Sequence, residues 1–227
     1  MFDRTTTDAV LWDLDDTLYS RLDAARRVFV PMFRDLLYVN RDDAFLQAAA
    51  DCMMTHVTSD SMIHKEAFEQ MLAAYPPDRQ FDHDACVEYY YAHISEYAVP
   101  SAPAMEIVKK LRQMGVKNAI VTNCWRVDAQ QRKLDALKIA PYFDEILLSG
   151  VCGVHKPDRR IYDLCTQKLC VANSRCLFVG DSAATDITGA LNAGMRSVWL
   201  NVWNAENCFT DKPSVTMVHK LDEFFQF

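Results

Sequence analysis

The chain has 227 residues, of which 50% are hydrophobic and 24% are charged, a composition that suits a globular fold and excludes a disordered or fibrous one. A chain of this length can form one large α/β domain, or a core domain with a smaller insert. The formal net charge of -7 argues against a nucleic-acid partner, because binding to phosphate backbones depends on an excess of Lys and Arg. A small anionic substrate stays compatible with a site that is locally positive.

The beginning of the chain, MFDRTTTDAV, lacks the basic segment and apolar run of a secretory signal. No apolar stretch approaches the roughly 20 residues that a helix needs to span a bilayer. We therefore expect a cytoplasmic protein without a membrane partner.

Short apolar runs alternate with helical patterns in two parts of the chain, before residue 19 and after residue 100. Apolar runs of this length are typical of strands that are buried on both faces of a parallel sheet. The predicted strands are 9–12, 118–121, 145–148, 176–179 and 197–200, and the predicted helices are 101–114, 126–137, 160–169 and 186–193. This alternation predicts an α/β fold with a doubly wound parallel sheet.

The segment between these parts, from residue 20 to about 99, contains no glycine and has apolar residues at three-to-four spacing. Such spacing is typical of helices. The predicted helices are 21–38, 42–57, 61–74 and 83–97, and Pro31 is expected to bend or split the first of them. The sequence thus predicts a core domain of residues 1–18 and 100–227, and a helical domain of residues 19–99.

Aspartates follow the first predicted strand directly, at Asp13, Asp15 and Asp16. In open α/β sheets, ligands bind at the carboxyl ends of the strands. Carboxylates this close repel one another unless a cation lies among them, and Mg²⁺ prefers carboxylate oxygens as ligands. The aspartates therefore predict a Mg²⁺ site, although the same residues would also suit the cap of a following helix.

A second predicted strand ends in the same way, with Gly180 and Asp181. Glycine permits a tight turn at this point. Asp186 is expected at the start of the next helix, where its charge suits the helix dipole. Turn and cap chemistry accounts for either strand alone, but not for two strands of one sheet that both end in aspartates.

Polar groups that suit a bound phosphate follow two other predicted strands. Thr122 and Asn123 supply a hydroxyl and an amide, which can donate hydrogen bonds to phosphate oxygens. Lys156 supplies a cation after the strand at 145–148. Trp125 follows Asn123 closely enough to line a pocket, although a tryptophan is more often part of a core.

These four stretches, in this order, resemble the four motifs of the haloacid dehalogenase-like hydrolase superfamily: DxDx(T/V), a strand that ends in Ser or Thr, a Lys, and GDxxxxD. The match covers the core part of the chain, about two-thirds of it. The helical segment 19–99 resembles the C1 cap of this superfamily, which closes over the site. The resemblance implies a Rossmann-like catalytic core with a C1 cap inserted after the first strand.

The resemblance also implies a role for each motif residue. Asp13 is implied as the nucleophile that attacks phosphorus, and Asp15 as the general acid that protonates the leaving oxygen and then activates water. Lys156 is implied as a catalytic residue that orients the carboxylates. The implied Mg²⁺ ligands are Asp13, Asp15 through its backbone carbonyl, Asp181, and Asp186 as outer support. The implied phosphate-binding residues are Thr122, Asn123 and Lys156.

The presence of Asp15 favours phosphoryl chemistry, because a dehalogenase needs no acid there and that branch typically lacks this second aspartate. Thr17 resembles the phosphatase pattern more than the mutase pattern. The segment from Leu14 to Tyr19 also resembles pyrimidine 5'-nucleotidase-type members. We therefore expect a Mg²⁺-dependent phosphatase for a small phosphomonoester, with a nucleoside monophosphate as the first candidate. A sugar-phosphate or phosphoglycolate phosphatase, a phosphomutase and a non-catalytic binding protein are the alternatives.

Overall fold

The structure is a computed structural model that describes residues 2–58 and 61–224. The chain divides into two compact units, one that ends at Ser20 and resumes at Pro100, and one formed by Arg21–Val99. These bounds are close to those of the predicted core and helical domain, whose separate roles stay a prediction. In the part of the chain that is described, no helix is long and apolar enough to cross a membrane.

The first unit is built on a parallel sheet, to which the described residues contribute six strands. The strands are β1 (Ala9–Trp12), β2 (Lys117–Thr122), β3 (Glu145–Leu148), β4 (Cys176–Gly180), β5 (Arg196–Leu200) and β6 (Val215–Val218). Their order in the sheet is β3-β2-β1-β4-β5-β6. The predicted α/β fold is therefore confirmed, and the five predicted strands each end within one residue of an observed strand.

The strand order reverses at β1, because the chain adds β2 and β3 on one side and β4 to β6 on the other. The carboxyl ends of the strands beside such a reversal are where open α/β sheets bind ligands. The edge strand β6 is not predicted from the sequence. Three of its four residues are only half-buried, so it lacks the continuous apolar run that identifies the inner strands.

The second unit contains four α-helices among its described residues: α1 (Arg21–Leu36), α2 (Asp43–Met54), α3 (Lys65–Ala74) and α4 (His83–His93). Of the two effects expected of Pro31, a split of the first helix is wrong, since α1 continues through it, and a bend stays a prediction. The buried stripe of α1, which includes Phe29 and Phe33, offsets the lost hydrogen bond. The third helix begins later than predicted because His64 caps it, its side chain accepting the Ala67 N–H at 3.3 Å.

The other two predicted helices of this unit are also longer than the observed ones. Helix α2 ends at Met54 and not at residue 57, and α4 ends at His93, followed by a 3-10 turn over Ile94–Tyr97. The ends of helices are the parts that apolar spacing predicts least well, since the last turn is fixed by local hydrogen bonds.

The remaining helices lie in the first unit: α5 (Ala102–Gln113), α6 (Val127–Leu137), α7 (Ser149–Cys152), α8 (Arg159–Leu169) and α9 (Thr188–Asn192). Helices α5, α6 and α8 match the predicted ones. The prediction of a helix that starts at Asp186 is wrong, because a π-helical turn over Ala183–Ile187 precedes α9. Ser182 is the N-cap of that turn.

Apolar residues of the sheet and helices form the core of this unit. On one face, Leu11 and Phe178 of the sheet pack with Ile161 and Tyr162 of α8. The apolar tail from Leu221 to Phe227 is also predicted to pack on the sheet, and Phe224 does so, stacking on Trp12 with ring centroids 5.8 Å apart. Residues 225–227 lie outside the described residues.

Candidate active site

Asp13 lies at the carboxyl end of β1, which pairs with β2 on one side and β4 on the other. Its backbone N–H donates to the carbonyl of Val179 at 2.9 Å and thereby extends the β1–β4 ladder by one residue. Helix α1 begins only at Arg21, so the N-cap position is Ser20 and none of the three aspartates caps this helix. Asp13 is instead held at the sheet edge where the strand order reverses.

Lys156 joins Asp13 to Asp186. Its Nζ donates to Asp13 Oδ1 at 2.5 Å and to Asp186 Oδ1 at 2.7 Å, and all three side chains are buried. Burial raises the pKa of Asp13 to about 7, against the opposing charge of Lys156 and with further increases from Asp186 and Asp15. Burial acts to lower the pKa of Lys156, but the two carboxylates outweigh it and the pKa is raised. Lys156 is therefore a fixed cation of the site.

Asp186 reaches the sheet edge because the chain turns tightly after β4. Its Oδ2 accepts the Ser182 backbone N–H at 3.0 Å. A Cβ atom at Gly180 would overlap the Asp186 carboxylate, so no larger residue fits there without moving Asp186. Tyr162 supports the same turn, since its hydroxyl donates to the Thr185 carbonyl at 2.7 Å. The predicted glycine of this motif thus provides space for a carboxylate as well as a turn.

Asp13, Asp181 and Asp186 place carboxylate oxygens within 4.8 Å of one another. We call these three residues and Lys156 the carboxylate cluster. The indole N–H of Trp203 donates to Asp181 Oδ2 at 3.0 Å and helps to orient it. Lys156 balances one of the three negative charges, so a divalent cation would balance the other two. Hard oxygen donors with this charge fit Mg²⁺.

Asp15, two residues after Asp13, has its own partners. Lys133 Nζ donates to Asp15 Oδ1 at 2.5 Å, and the Tyr19 hydroxyl donates to the same oxygen. Gln130 Nε2 donates to Asp15 Oδ2 at 2.9 Å. We call these four residues the Asp15 network. The carboxylate oxygens of Asp15 thus accept hydrogen bonds from an ammonium, a phenol and an amide.

The predicted phosphate-binding residues lie next to both groups. Gln130 Nε2 also donates to Thr122 Oγ1 at 2.8 Å, which ties the end of β2 to the Asp15 network. Asn123 makes two hydrogen bonds with the backbone of Lys156: Nδ2 donates to its carbonyl at 2.9 Å, and Oδ1 accepts its N–H at 2.8 Å. Asn123 therefore holds the loop that carries Lys156.

Trp125 does not belong to the core, because 83% of it is exposed. Its ring stacks on His155 with centroids 4.5 Å apart and an interplanar angle of 22°. Trp125 is two residues from Asn123, and His155 directly precedes Lys156. The two loops that carry the predicted phosphate-binding residues are therefore joined by an aromatic pair with one open face.

A family model described as haloacid dehalogenase-like hydrolase matches residues 10–200. The chain belongs to this family. The match begins within β1 and ends with β5, so it includes both strands that carry the carboxylate cluster.

Curated relatives of this haloacid dehalogenase-like hydrolase include a named 5'-nucleotidase and a named phosphatase. Over 139 residues the chain is 31% identical to pyrimidine 5'-nucleotidase YjjG of Escherichia coli (strain K12), a match that spans 60% of this chain and 61% of that protein, less than two thirds of it. Over 194 residues it is 30% identical to the glyceraldehyde 3-phosphate phosphatase of Methanopyrus kandleri, spanning 84% of this chain and 82% of that protein.

Among solved structures, the HAD-hydrolase YfnB from Bacillus subtilis, solved bound to magnesium, resembles this hydrolase with a TM-score of 0.74. The sequences are 21% identical, and the likeness covers 96% of this chain and 97% of that chain. At this identity the likeness establishes the fold alone.

Three residues of the hydrolase site are not identified from the sequence: Tyr19, Gln130 and Lys133. A signal for two of them exists on α6, where Gln130, Lys133, Leu134 and Leu137 form one buried helix face. Polar residues at two positions of such a face are unusual, because Lys and Gln are mostly exposed in folded proteins. A buried polar pair on a helix after a motif strand is therefore the pattern that would have found them.

Proposed function

We propose that the protein is a Mg²⁺-dependent phosphatase that hydrolyses a small phosphomonoester through an aspartyl-phosphate on Asp13. The observation that carries the proposal is the carboxylate cluster, in which a buried lysine and three carboxylates meet at the ligand-binding edge of the sheet. A protein that only binds phosphate needs cations at this point, and carboxylates would repel the anion. The expected cytoplasmic location is part of the same proposal.

Asp13 is assigned as the nucleophile. One of its carboxylate oxygens forms a bond to phosphorus while the ester P–O bond breaks, and the bonding electron pair leaves with the ester oxygen. Asp15 gives a proton to that oxygen, so the first product is a neutral alcohol. Asp15 then takes a proton from water as the water oxygen attacks phosphorus. The bond to Asp13 breaks, and the second product is inorganic phosphate.

The metal is assigned to Asp13 and Asp181, with the backbone carbonyl of Asp15 as a further ligand and Asp186 as outer support. The donor set fits, because it consists of oxygens whose charge one lysine leaves only partly balanced. When bound, Mg²⁺ supplies positive charge beside the phosphoryl oxygens, where it stabilises the transition state.

Thr122 and Lys156 are assigned to the phosphoryl oxygens, together with the second amide hydrogen of Asn123. Lys156 is well suited to this role, since it stays charged while it is bonded to Asp13 and Asp186. Fixed donors in a buried site stabilise developing charge more strongly than mobile ones, because they need no reorganisation during the reaction.

A nucleoside monophosphate is our first candidate for the substrate. The similarity to a pyrimidine 5'-nucleotidase supports it. The exposed ring of Trp125 also supports it, because a nucleobase can stack on an aromatic face, an interaction worth about 1–3 kcal/mol. The second candidate is a small sugar phosphate, which is favoured by the similarity to a glyceraldehyde 3-phosphate phosphatase over most of the chain.

A panel of phosphate esters, assayed for released phosphate with Mg²⁺ present, tests the reaction class and the substrate together. We expect turnover of para-nitrophenyl phosphate and the highest kcat/KM among nucleoside monophosphates. If sugar phosphates or phosphoglycolate have the highest kcat/KM, they would replace nucleoside monophosphates as the proposed substrate. Interconversion of sugar phosphates without released phosphate would indicate a mutase, and failure of every ester with the fold intact would indicate a binding protein.

The nucleophile and the metal are tested by removal. Asp13→Asn should lower kcat on para-nitrophenyl phosphate by at least about 1,000-fold, because the covalent route is closed. Asp43→Asn, an exposed carboxylate in α2, is the matched control and should keep full activity. Chelation should abolish turnover, and added Mg²⁺ should restore it. Retained activity after either treatment would contradict the mechanism.

A further inference from the structure

We propose that Lys133, with Gln130, is a positioning residue that fixes the rotation of the Asp15 carboxylate so that Asp15 exchanges its proton with the leaving oxygen. The inference rests on the proposed function, since it assigns a task to residues around the proposed acid. Three side chains hold the Asp15 carboxylate: Lys133 and Tyr19 donate to one oxygen, and Gln130 donates to the other.

The pattern of donors distinguishes the two oxygens of Asp15. Oδ1 accepts from both Lys133 and Tyr19, which occupies its two lone pairs. We therefore assign the proton exchange to Oδ2, on the side of Gln130. The two hydrogens of Gln130 Nε2 go to Asp15 Oδ2 and to Thr122 Oγ1. Gln130 thus sets the position of the acid relative to a residue that we assign to the phosphoryl group.

Burial indicates that this arrangement is not a solvated ion pair. The side chain of Lys133 is 9% exposed and that of Asp15 is 16% exposed. Taking two charges out of water costs about as much as their attraction returns, so such pairs add little net stability. Stability therefore does not explain why a lysine occupies an apolar helix face, whereas a requirement for one fixed carboxylate orientation does. General acid catalysis depends on this orientation, because the proton must move to one defined atom.

The test compares two substrates that differ in how much they need the acid. The leaving group of para-nitrophenyl phosphate is stable as an anion and departs with little help from a proton. The leaving group of glycerol 2-phosphate is an alkoxide that must be protonated. Lys133→Met removes the donor and retains an unbranched side chain. We expect its kcat/KM to fall on both esters, and by about 10-fold more on the alkyl ester than on the aryl ester.

Two controls separate positioning from other roles. Lys168→Met changes an exposed lysine that pairs with Glu145, and it should leave both rates unchanged. Asp15→Asn should shift the ratio of kcat/KM on the two esters in the same direction as Lys133→Met, and by a larger factor. A cooperative thermal unfolding transition identifies variants that are folded. If Lys133→Met fails to fold, Gln130→Met carries the same comparison.

The outcomes are distinguishable. A larger loss on the alkyl ester in Lys133→Met, with the shift also present in Asp15→Asn, supports the proposal. An equal loss on both esters in Lys133→Met, while Asp15→Asn retains the shift, overturns the positioning role. A rise in KM alone on both esters also overturns it, since it would mean that Lys133 binds the phosphate. If Asp15→Asn has no shift, the acid role of Asp15 in the proposed function fails, and the role of Lys133 fails with it.

Discussion

The carboxylate cluster and the Asp15 network each contain one aspartate of the first motif, but they differ in their balance of charge and hydrogen bonding. In the carboxylate cluster, three carboxylates lie close together with one lysine, which donates to Asp13 and Asp186. In the Asp15 network, three side chains donate to a single carboxylate. The negative charges of the first group exceed the charge of its lysine and suit a further cation, whereas the single carboxylate of the second group already pairs with a lysine.

This difference indicates how two aspartates that are two residues apart can do different work. Asp13 lies in a cluster with more negative than positive charge, which suits a group that is proposed to bind a cation and then form a bond to phosphorus. Asp15 has a fixed set, which suits a group that must keep one orientation while it exchanges a proton. Environment, and not residue type, would separate the two proposed roles.

Among the changes that separate the two groups, the largest effect is expected from Asp181→Asn, which removes a charge from the carboxylate cluster alone. Mg²⁺ stabilises the folded state by binding to it, so wild type should melt at a higher temperature when Mg²⁺ is added. Asp181→Asn should lose this rise and should lose activity by at least about 100-fold. Differential scanning calorimetry with and without Mg²⁺ measures the first effect, and phosphate release measures the second.

A substitution in the Asp15 network shows whether Mg²⁺ binding depends on the carboxylate cluster alone. Lys133→Met should keep the Mg²⁺-dependent rise, because Lys133 contacts Asp15 and not the clustered carboxylates. An undiminished rise in Asp181→Asn would mean that the ion is held elsewhere. A lost rise in Lys133→Met would mean that the two groups are one unit.

The two groups also differ in how far they can be predicted from sequence. Asp13 and Asp181 each follow an apolar run directly, and such runs predict buried strands whose carboxyl ends meet at one sheet edge. The position of Asp186 is harder to predict, because it reaches the sheet only through a π-helical turn and the space left by Gly180, which has no side chain. The motif predicts that Asp186 lies near Asp13 and Asp181, but it does not predict the π-helical turn that places it there.

The Asp15 network depends on the rotation of α6 against the sheet, which strand patterns do not describe. Its helix is predicted correctly from apolar spacing, yet Gln130 and Lys133 become part of the site only because the buried face of α6 is the one that carries them. Strand β6 is missed for a related reason, since its half-buried residues carry no period that separates an edge strand from a loop.

A second prediction concerns the pH dependence of stability without metal. The pKa of Asp13 is about 7 in the folded protein, above its ordinary 3.8, because of burial and the carboxylates nearby. Between these values the folded state binds a proton that the unfolded state has lost, so stability falls as the pH rises. Asp13→Asn has no such proton. With a chelator present, the melting temperature of Asp13→Asn minus that of wild type should increase from about pH 4 to about pH 7 and then level off.

Added Mg²⁺ should reverse this trend, because the ion favours the ionised form of Asp13 that burial disfavours. Asp43→Asn provides the control, and its difference from wild type should stay flat over the same range, since its side chain is 87% exposed. A pH-independent difference between Asp13→Asn and wild type would show that Asp13 is ionised throughout. The cluster would then resemble the Asp15 network in having its charge already balanced.

The smallest expected effect is that of Tyr19→Phe, which removes one of the three donors to Asp15 and leaves Lys133 and Gln130 in place. A single hydrogen bond contributes about 0.5–1.5 kcal/mol, so kcat/KM on glycerol 2-phosphate should fall about 2- to 10-fold. The loss on para-nitrophenyl phosphate should be smaller, and the Mg²⁺-dependent rise in melting temperature should not change. Tyr142→Phe, in the 3-10 turn Ala140–Tyr142 that precedes β3, should alter neither rate. A loss in Tyr19→Phe as large as that in Lys133→Met would mean that the phenol, and not the ammonium, determines the orientation of Asp15.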